Sequence, residues 1–304
     1  MKDVAVGFLW HMHQPYYKDP VSEIYLMPWV RLHSIRGYYD MISLLEDYPG
    51  IRCTFNLVPS LLAQIIDYVD GGMRDTDFYL SQKDPSDLSA DEKKHIIARF
   101  FMCNQQTMID PFPRYATLLE KKGSIKNPKE LDQAAKKFTH QDILDLQVLF
   151  NLTWMGFTAR KDKRIRNLIK KGRSYSASDK GYGFDFQIEI MKKIIPLYRQ
   201  AKKQGRIELT TSPFYHPISP LVMNVGYALR SLDTPLPDEA FSHPEDLSVQ
   251  IAKAISFHAD LFGGPPRGMW PSEGSVCPEM MDLLSSSGIE WTASDEAILF
   301  ASLK

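Results

Sequence analysis

The chain has 304 residues, 44% hydrophobic and 24% charged, enough for one large α/β domain or two ordinary domains. The formal net charge of -1 gives no electrostatic case for binding nucleic acid or an anionic membrane. The three cysteines are widely spaced and form no C-x-x-C pair, which argues against a disulfide framework or zinc ribbon and favours a reducing compartment.

The amino-terminal segment predicts a cytoplasmic protein. It carries one lysine and a short apolar run, too little for a signal peptide, and no stretch approaches a membrane span. We therefore expect neither a membrane nor nucleic acid as a partner, and composition leaves the oligomeric state open.

The first predicted elements alternate between strand and helix. The apolar run VAVGFLWHMHQP, from Val4, predicts a strand buried on both faces. SIRGYYDMISLLEDYPG has helical spacing and ends at Pro49, IRCTFNLVP predicts a second strand, and SLLAQIIDYV predicts a helix with Ser60 as N-cap. This β-α-β-α order favours a parallel sheet or barrel.

Residues 70–205 interrupt the alternation. SADEKKHIIARFFMCNQQTMI, HQDILDLQVLFNLTWMGFTA and FDFQIEIMKKIIPLYRQAKKQG have helical patterns, with almost no strand between them. We expect a mainly helical insertion between the second and third strands of a barrel. The basic stretch KDKRIRNLIKKGR within it is typical of a solvated surface helix.

The alternation then resumes. RIELTTSPFYHPISP predicts a third strand running into a Tyr-His-Pro turn, DLSVQIAKAISFHADLFG a helix, and RGMWPSEGSV a short fourth strand with its loop. CPEMMDLLSSSG predicts a helix that Cys277 opens, and IEWTASDEAILF a fifth strand with Asp295 and Glu296 at its end.

Unusual polar residues follow each predicted strand. In chain order they are His11, His13 and Gln14, then Asn56, His216 and Glu273, and finally Asp295 and Glu296. The carboxyl ends of parallel barrel strands share one face, and that face carries the active site. Taken singly, Asn56 fits a turn-shaping role and Glu273 a loop carboxylate near a helix N-terminus. Their convergence predicts a ligand site.

Three chemistries can use this set. His11 and His13 point the same way on a strand, as zinc ligands do, but no aspartate accompanies them and Gln-Pro is a poor ligand context. A retaining glycosidase needs a carboxylate nucleophile and a second carboxyl group about 5–5.5 Å away, and Glu273 lies three residues after Trp270. A Ser or Cys nucleophile lacks support, because there is no G-x-S-x-G elbow.

The second chemistry also needs an aromatic platform for the sugar ring and polar side chains for its hydroxyls. Residues of those kinds are Trp270, Trp29, Tyr215, His13 and His216.

The blocks HMHQPYY, FNLVPSLLAQ, GRIELTTSPFYHPISPL, GMWPSEGSV and GIEWTASDEAIL together resemble glycoside hydrolase family 57. That family comprises α-amylases, 4-α-glucanotransferases, branching enzymes and amylopullulanases. The resemblance runs from residue 4 to about residue 301, and GMWPSEGSV is most similar to the α-amylase and amylopullulanase-like branch.

The resemblance implies an incomplete (β/α)7 barrel, retention of anomeric configuration, an α-glucan or maltooligosaccharide substrate, and catalysis without a metal or other cofactor. It implies that Glu273 is the nucleophile. The side chains expected to contact substrate are His11, His13, Gln14, Trp29, Tyr215, His216, Trp270 and Asp295.

One departure concerns the general acid. The family places this aspartate in a fourth block well downstream of the nucleophile, and nothing in the chain resembles that block. The expectation is therefore a partial barrel domain over residues 1–304, truncated after strand five, with an exposed sheet edge. A missing general acid lowers the rate by about 10²–10⁴-fold.

Several alternatives stay open at this point. Hydrolysis and 4-α-glucanotransfer differ only in the acceptor that reaches the covalent intermediate. A metal-dependent carbohydrate deacetylase or α-mannosidase-like barrel would use His11 and His13 as ligands. A non-catalytic glucan-binding remnant would keep the aromatic subsites without the acid.

Overall fold

The computed structural model describes residues 6–303, apart from the side chain of Ser302. The chain divides into two compact units. The first comprises the described part of 1–16, 48–64 and 195–304, and the second comprises 17–47 and 65–194. All the strands named below belong to the first unit.

Parallel pairing arranges these strands in their sequence order. Within residues 6–303 they are β1 (Leu9–Met12), β2 (Cys53–Leu57), β3 (Ile207–Thr210), β4 (Gly268–Met269) and β5 (Trp291–Thr292). β1 pairs with β2, β2 with β3, and β4 with β5, all parallel. A parallel bridge between Thr211 and Met269 joins β3 to β4. The protein is therefore an α/β protein with parallel strands, and the segments after the strands meet at one edge.

The outer strand β1 is more exposed than its apolar sequence predicted. Met12 is buried, whereas Trp10 and the preceding Phe8 are exposed. The prediction of a strand buried on both faces was wrong, because β1 is at the end of the strand order and an apolar run does not report how many neighbours a strand has. Val4 and Ala5, which the predicted strand included, lie outside the described residues.

Helices make up most of the remaining described chain, and α4 to α10 occupy the region where the sequence predicted helices and almost no strands. Their bounds are α1 Trp29–His33, α2 Tyr39–Ser43, α3 Pro59–Val69, α4 Thr76–Gln82, α5 Ala90–Arg99, α6 Pro113–Lys122, α7 Pro128–Lys137, α8 His140–Thr153, α9 Lys163–Lys171, α10 Ala177–Lys203, α11 Ser219–Met223, α12 Pro244–Phe262, α13 Pro278–Ser286 and α14 Glu296–Ser302. In the part of the chain that the structure describes, no helix has both the length and the apolar character needed to cross a bilayer.

Capping side chains explain where several helices begin. Thr139 forms a capping box at the start of α8. Cys277 is the N-cap position of α13, which confirms that it opens this helix. Ser60 is not an N-cap, because α3 begins at Pro59, a residue suited to the first helical position. The Ser60 hydroxyl instead donates to the carbonyl of Gln14 at 3.0 Å.

The segment after Ile289 differs from its predicted single strand. Only Trp291–Thr292 is extended, and α14 follows from Glu296. Asp295 is the N-cap of α14, and its Oδ1 accepts a hydrogen bond from the Ala297 amide at 2.7 Å. Asp295 and Glu296 therefore begin a helix rather than end a strand, because an aspartate that satisfies an open helical amide favours that start.

Buried apolar side chains of the first unit hold β4 against the two helices α12 and α13. Each fully buried aliphatic side chain contributes about 1.5–3 kcal/mol. The cluster comprises Leu247, Ile251, Met269, Cys277, Met280, Leu284 and Ile289. It fixes the strand from which the next loop, residues 270–277, departs.

Candidate active site

An open pocket of about 720 Å³ lies in the first unit, where segments following β1, β4 and β5 meet. Side chains from separate predicted strands meet there, as the sequence pattern predicted. The residues that line it are His11, His13, Trp270, Glu273, Gly274, Ser294, Asp295 and Glu296.

Strand register fixes the position of the His11 ring. β1 and β2 pair so that His11 lies opposite Asn56, and His11 Nδ1 is 2.6 Å from Asn56 Oδ1. The Asn56 amide nitrogen donates to Thr211 O at 2.7 Å and to Thr210 Oγ1 at 3.2 Å, so its oxygen faces the imidazole. His11 therefore donates through Nδ1, and its Nε2 keeps a lone pair.

His216 joins the two histidines of β1. It lies in the turn after β3 with φ = 57°, a left-handed conformation that is uncommon outside glycine. Its ring centroid is 4.0 Å from that of His13 and 5.0 Å from that of His11. The side chain is 1% exposed, so the turn presents a buried imidazole to the pair from β1.

Burial keeps these imidazoles neutral. Desolvation lowers the pKa of His216 to about 3, helped by the nearby rings of His13 and His11. Desolvation also lowers the pKa of His13 and of His11, although His11 retains solvent-exposed surface. At neutral pH the three rings thus offer hydrogen-bond donors and lone pairs without positive charge.

Glu273 is held in the loop after β4. It has φ = 55°, and such strained conformations cluster at functional sites. Its Oε1 is 3.8 Å from His216 Nδ1, and its side chain is 67% exposed. Because His216 is neutral, this contact is not an ion pair, and the carboxylate stays available to a ligand. Trp270, three residues earlier, stacks on His11 with ring centroids 5.5 Å apart.

The remaining predicted residues are distributed differently. Asp295 lines the same pocket while capping α14. Gln14 and Tyr215 are outside the described pocket lining: Gln14 accepts the Ser60 hydrogen bond, and the Tyr215 ring packs edge-on against Tyr16 at 5.5 Å. Trp29 belongs to the second unit, where its ring lies 5.9 Å from that of Trp154.

Asn56 belongs to the set of polar residues predicted at the strand ends, with turn formation as its interpretation when taken singly. In the structure its amide instead hydrogen-bonds to His11 and to the segment after β3. Ser212 adds a donor to the same Asn56 oxygen at 3.2 Å. The signal in the sequence is one amide side chain within the apolar strand CTFNL. Because that strand is buried and Asn56 is fully buried, the amide must find hydrogen-bond partners.

Comparison with known proteins finds α-amylases and a branching enzyme as relatives. α-Amylase 1 of Dictyoglomus thermophilum is 29% identical over 99 residues, which are 33% of this chain and 12% of that protein. The α-amylase AmyC of Thermotoga maritima has a TM-score of 0.45 at 13% identity, covering 94% of this chain and 39% of that structure. The GH57-type branching enzyme of Pyrococcus horikoshii has a TM-score of 0.44 at 16% identity, covering 94% and 40%.

The chain thus spans well under two thirds of the length of each of these proteins. The family itself is decided by a match to the model of glycosyl hydrolase family 57, which extends over residues 7–303. The chain belongs to glycosyl hydrolase family 57.

Proposed function

We propose that this chain acts in a retaining α-glucan-active glycosidase, most similar to the α-amylases, with Glu273 as the nucleophile. The domain is an incomplete (β/α)7 barrel over residues 1–304 in which residues 70–205 form a helical insertion. α-Glucans or maltooligosaccharides are the proposed substrates.

The observation that carries this proposal is the placement of Glu273. Its exposed carboxylate lies in the pocket with Trp270 and Asp295, and 3.8 Å from His216. A strained φ of 55° in the loop directly after a parallel strand fixes the backbone there. This combination suits attack on a bound sugar better than a capping or solvation role.

The proposed reaction has two steps. A Glu273 oxygen forms a bond to the anomeric carbon while the bond from that carbon to the leaving oxygen breaks, and the leaving oxygen takes a proton from a general acid. Water or an acceptor sugar then attacks the anomeric carbon, loses a proton to the same group, and releases Glu273. We assign the general acid to no residue of this chain, and we give Asp295 a site-lining role.

The surrounding side chains have roles that follow from their chemistry. His11 Nε2 accepts from a sugar hydroxyl, because its Nδ1 is committed to Asn56. His13 and His216 form the wall of the subsite at the scissile bond, and Trp270 presents an aromatic face to the sugar.

Labelling with an activated 5-fluoro-α-glucoside tests the nucleophile. The activated leaving group needs little help from an acid, so the test does not depend on the general acid. We expect one covalent adduct on the peptide that contains Glu273, located by mass spectrometry, and no adduct in Glu273→Gln.

Glu296→Gln is the matched control, since this carboxylate lines the same pocket and has no assigned role. It should label like the parent chain. An adduct on another carboxylate, or none on folded protein, would overturn the assignment of Glu273.

A further inference from the structure

The three histidines beside Glu273 also form a compact group of ring nitrogens, which contact with a sugar does not by itself require. One ring nitrogen from each of His11, His13 and His216 lies within 4.8 Å of the others, a grouping suited to holding a metal ion. We propose that these residues form a binding site for a divalent transition metal of borderline softness, such as Zn²⁺ or Co²⁺, and that the bound metal excludes substrate.

The ligand chemistry favours such metals over Mg²⁺ or Ca²⁺. Imidazole nitrogen suits zinc, cobalt, nickel and copper, whereas hard cations prefer oxygen ligands. A further ligand is within reach, because Glu273 Oε1 lies 3.8 Å from His216 Nδ1 and its side chain is largely exposed. Three imidazoles and one carboxylate make a four-coordinate set with a single negative charge.

One ligand is already oriented. His11 donates Nδ1–H to Asn56, whose own nitrogen is committed to Thr211 O and Thr210 Oγ1. Metal-binding histidines characteristically donate their second ring nitrogen to such a neighbour, which fixes the tautomer. His11 is therefore presented with Nε2 as an available lone pair.

A second ligand has unused capacity. His216 Nε2 is buried and makes no hydrogen bond to any described residue. A buried polar atom in this state is unfavourable, so coordination through His216 Nε2 would relieve a desolvation cost that the fold otherwise carries.

The distances require a small adjustment. Zinc–nitrogen bonds of about 2.0–2.1 Å put two tetrahedral ligand atoms about 3.4 Å apart. The nitrogens lie within 4.8 Å of one another, so each must move by less than about 1 Å to close on one ion. The His13 and His216 rings, stacked with centroids 4.0 Å apart and planes 27° apart, must also rotate about their χ angles until both ring planes contain the ion. His11 has exposed surface and the pocket is open, which gives the ion a route in.

Metal and sugar would compete for the same atoms. A metal held by His11, His13 and Glu273 removes the carboxylate from the anomeric carbon and fills the space of the sugar. This competition rests on the proposed function, whereas metal binding itself does not.

Cobalt is the direct probe, used on the full chain prepared without a polyhistidine tag. We expect one equivalent of Co²⁺ to give the intense visible absorption of a four- or five-coordinate site, and Zn²⁺ to abolish it. His13→Ala and His11→Ala should each lower the affinity at least tenfold, and Asn56→Ala by about 10–100-fold. Two alanine variants are used so that the test survives if one fails to fold.

His243→Ala is the matched control, because His243 is exposed and pairs with Glu245 away from the pocket lining. It should bind cobalt like the parent. The weak spectrum of hydrated cobalt in the parent protein, or binding that survives both pocket alanines, would overturn the site.

A separate measurement tests whether the bound metal excludes the sugar substrate. Saturating Zn²⁺ should slow fluoro-glucoside labelling of Glu273 at least tenfold, and a chelator should restore it. Cobalt binding with unchanged labelling would overturn the exclusion of substrate. Absence of labelling in chelator-treated protein would instead count against the proposed function, and the cobalt spectrum would still stand or fall by itself.

Discussion

Asn56 is the single residue on which the geometry of the pocket most depends. Its side-chain oxygen accepts hydrogen bonds from His11 and Ser212. Its side-chain nitrogen donates to Thr210 Oγ1 and Thr211 O, so one buried amide links β1, β2 and the end of β3. An amide is suited to this position because it combines an acceptor with two donors and carries no charge.

Replacing Asn56 by alanine should destabilise the fold by about 1–3 kcal/mol, because it leaves the His11 Nδ1–H without its acceptor and removes the hydrogen bonds that the amide donates to Thr211 O and Thr210 Oγ1. The pKa of His11 should also fall further, since the hydrogen bond to Asn56 raises it. Urea unfolding and an NMR titration of His11 measure the two effects.

Asn56→Asp provides the contrast. It keeps an acceptor beside His11 but adds a negative charge, which should raise the His11 pKa while still losing the donated hydrogen bonds. Shifts of the same sign in both variants would show that Asn56 does not set the state of this ring.

The sequence pattern predicted which strand-end residues lie close together, but not which hydrogen bonds their side chains form. His11, His13, His216 and Glu273 were all placed at strand ends by pattern, and the structure brings them together. The Asn56 hydrogen bond depends on register between two strands that are 45 positions apart at this pair, which local pattern does not encode.

At the scale of elements, β4 and β5 are short and depend on close packing at Gly268. A Cβ there would lie 2.3 Å from the Trp291 ring, so a side chain at 268 forces the indole to move. The Trp291 Nε1–H donates to Glu208 at 3.0 Å, and that bond would break with the displacement.

Gly268→Ala should therefore cost about 1–3 kcal/mol through overpacking. It should also slow labelling of Glu273, because the loop that carries Glu273 leaves from β4. Thermal unfolding and the labelling rate are the measurements. Gly264→Ala is the control, since a Cβ added at that position would meet no described atom within 4 Å; equal losses in both variants would contradict the packing argument.

In the second unit, a buried arginine joins separate elements. Arg31 of α1 is fully buried and donates to Asp75 at 2.8 Å and to the side-chain oxygens of Asn151 and Gln187, both at 2.7 Å. These partners come from the α4 N-cap, α8 and α10, so one guanidinium links four segments.

Arg31→Met should destabilise this unit by about 3–5 kcal/mol, because Asp75 is left as an uncompensated buried charge. Arg164→Met is the comparison: Arg164 pairs with Glu189 at the surface, and such pairs contribute about 0–1 kcal/mol. Chemical denaturation of both variants distinguishes them, and similar losses would argue against a special role for Arg31.

Sequence patterns predicted long elements better than short ones. The helix α8 follows from its capping box and its apolar spacing. The segment after Trp291 was misassigned because apolar residues near position 299 fit a strand as well as a helix, and only the Asp295 cap separates the two. The Arg31 network had no local signal, since its partners are 44, 120 and 156 positions away.

For the molecule as a whole, buried histidines make stability depend on pH. His258 on α12 is 2% exposed, and its Nδ1 lies 3.0 Å from Gly264 O; because a carbonyl only accepts, Nδ1 carries the proton and donates. Desolvation, with a smaller contribution from the charge of Lys202, lowers the pKa of His258 from 6.5 to about 4, although the carbonyls of Gly264 and Leu209 act to raise it.

The direction of the effect follows from proton binding. Between pH 6.5 and about 4 the unfolded chain holds a proton on His258 that the folded chain lacks, so folding stability falls as pH falls through this window. Above pH 6.5 both states are neutral and the full stability is retained. The shift corresponds to about 3 kcal/mol, at about 1.36 kcal/mol per pKa unit.

His258→Phe should therefore flatten the acid limb of the stability curve. The lowered pKa values of His11, His13 and His216 act in the same direction, so a slope will remain in this variant. His243→Phe, at an exposed position, should leave the slope unchanged. The measurement is the free energy of unfolding from pH 8 to pH 4. A histidine that is neutral in the folded chain and protonated in the unfolded chain must lower the stability of the folded state as pH falls below 6.5. A parent protein whose stability does not fall in this range would therefore contradict the buried neutral state of these histidines.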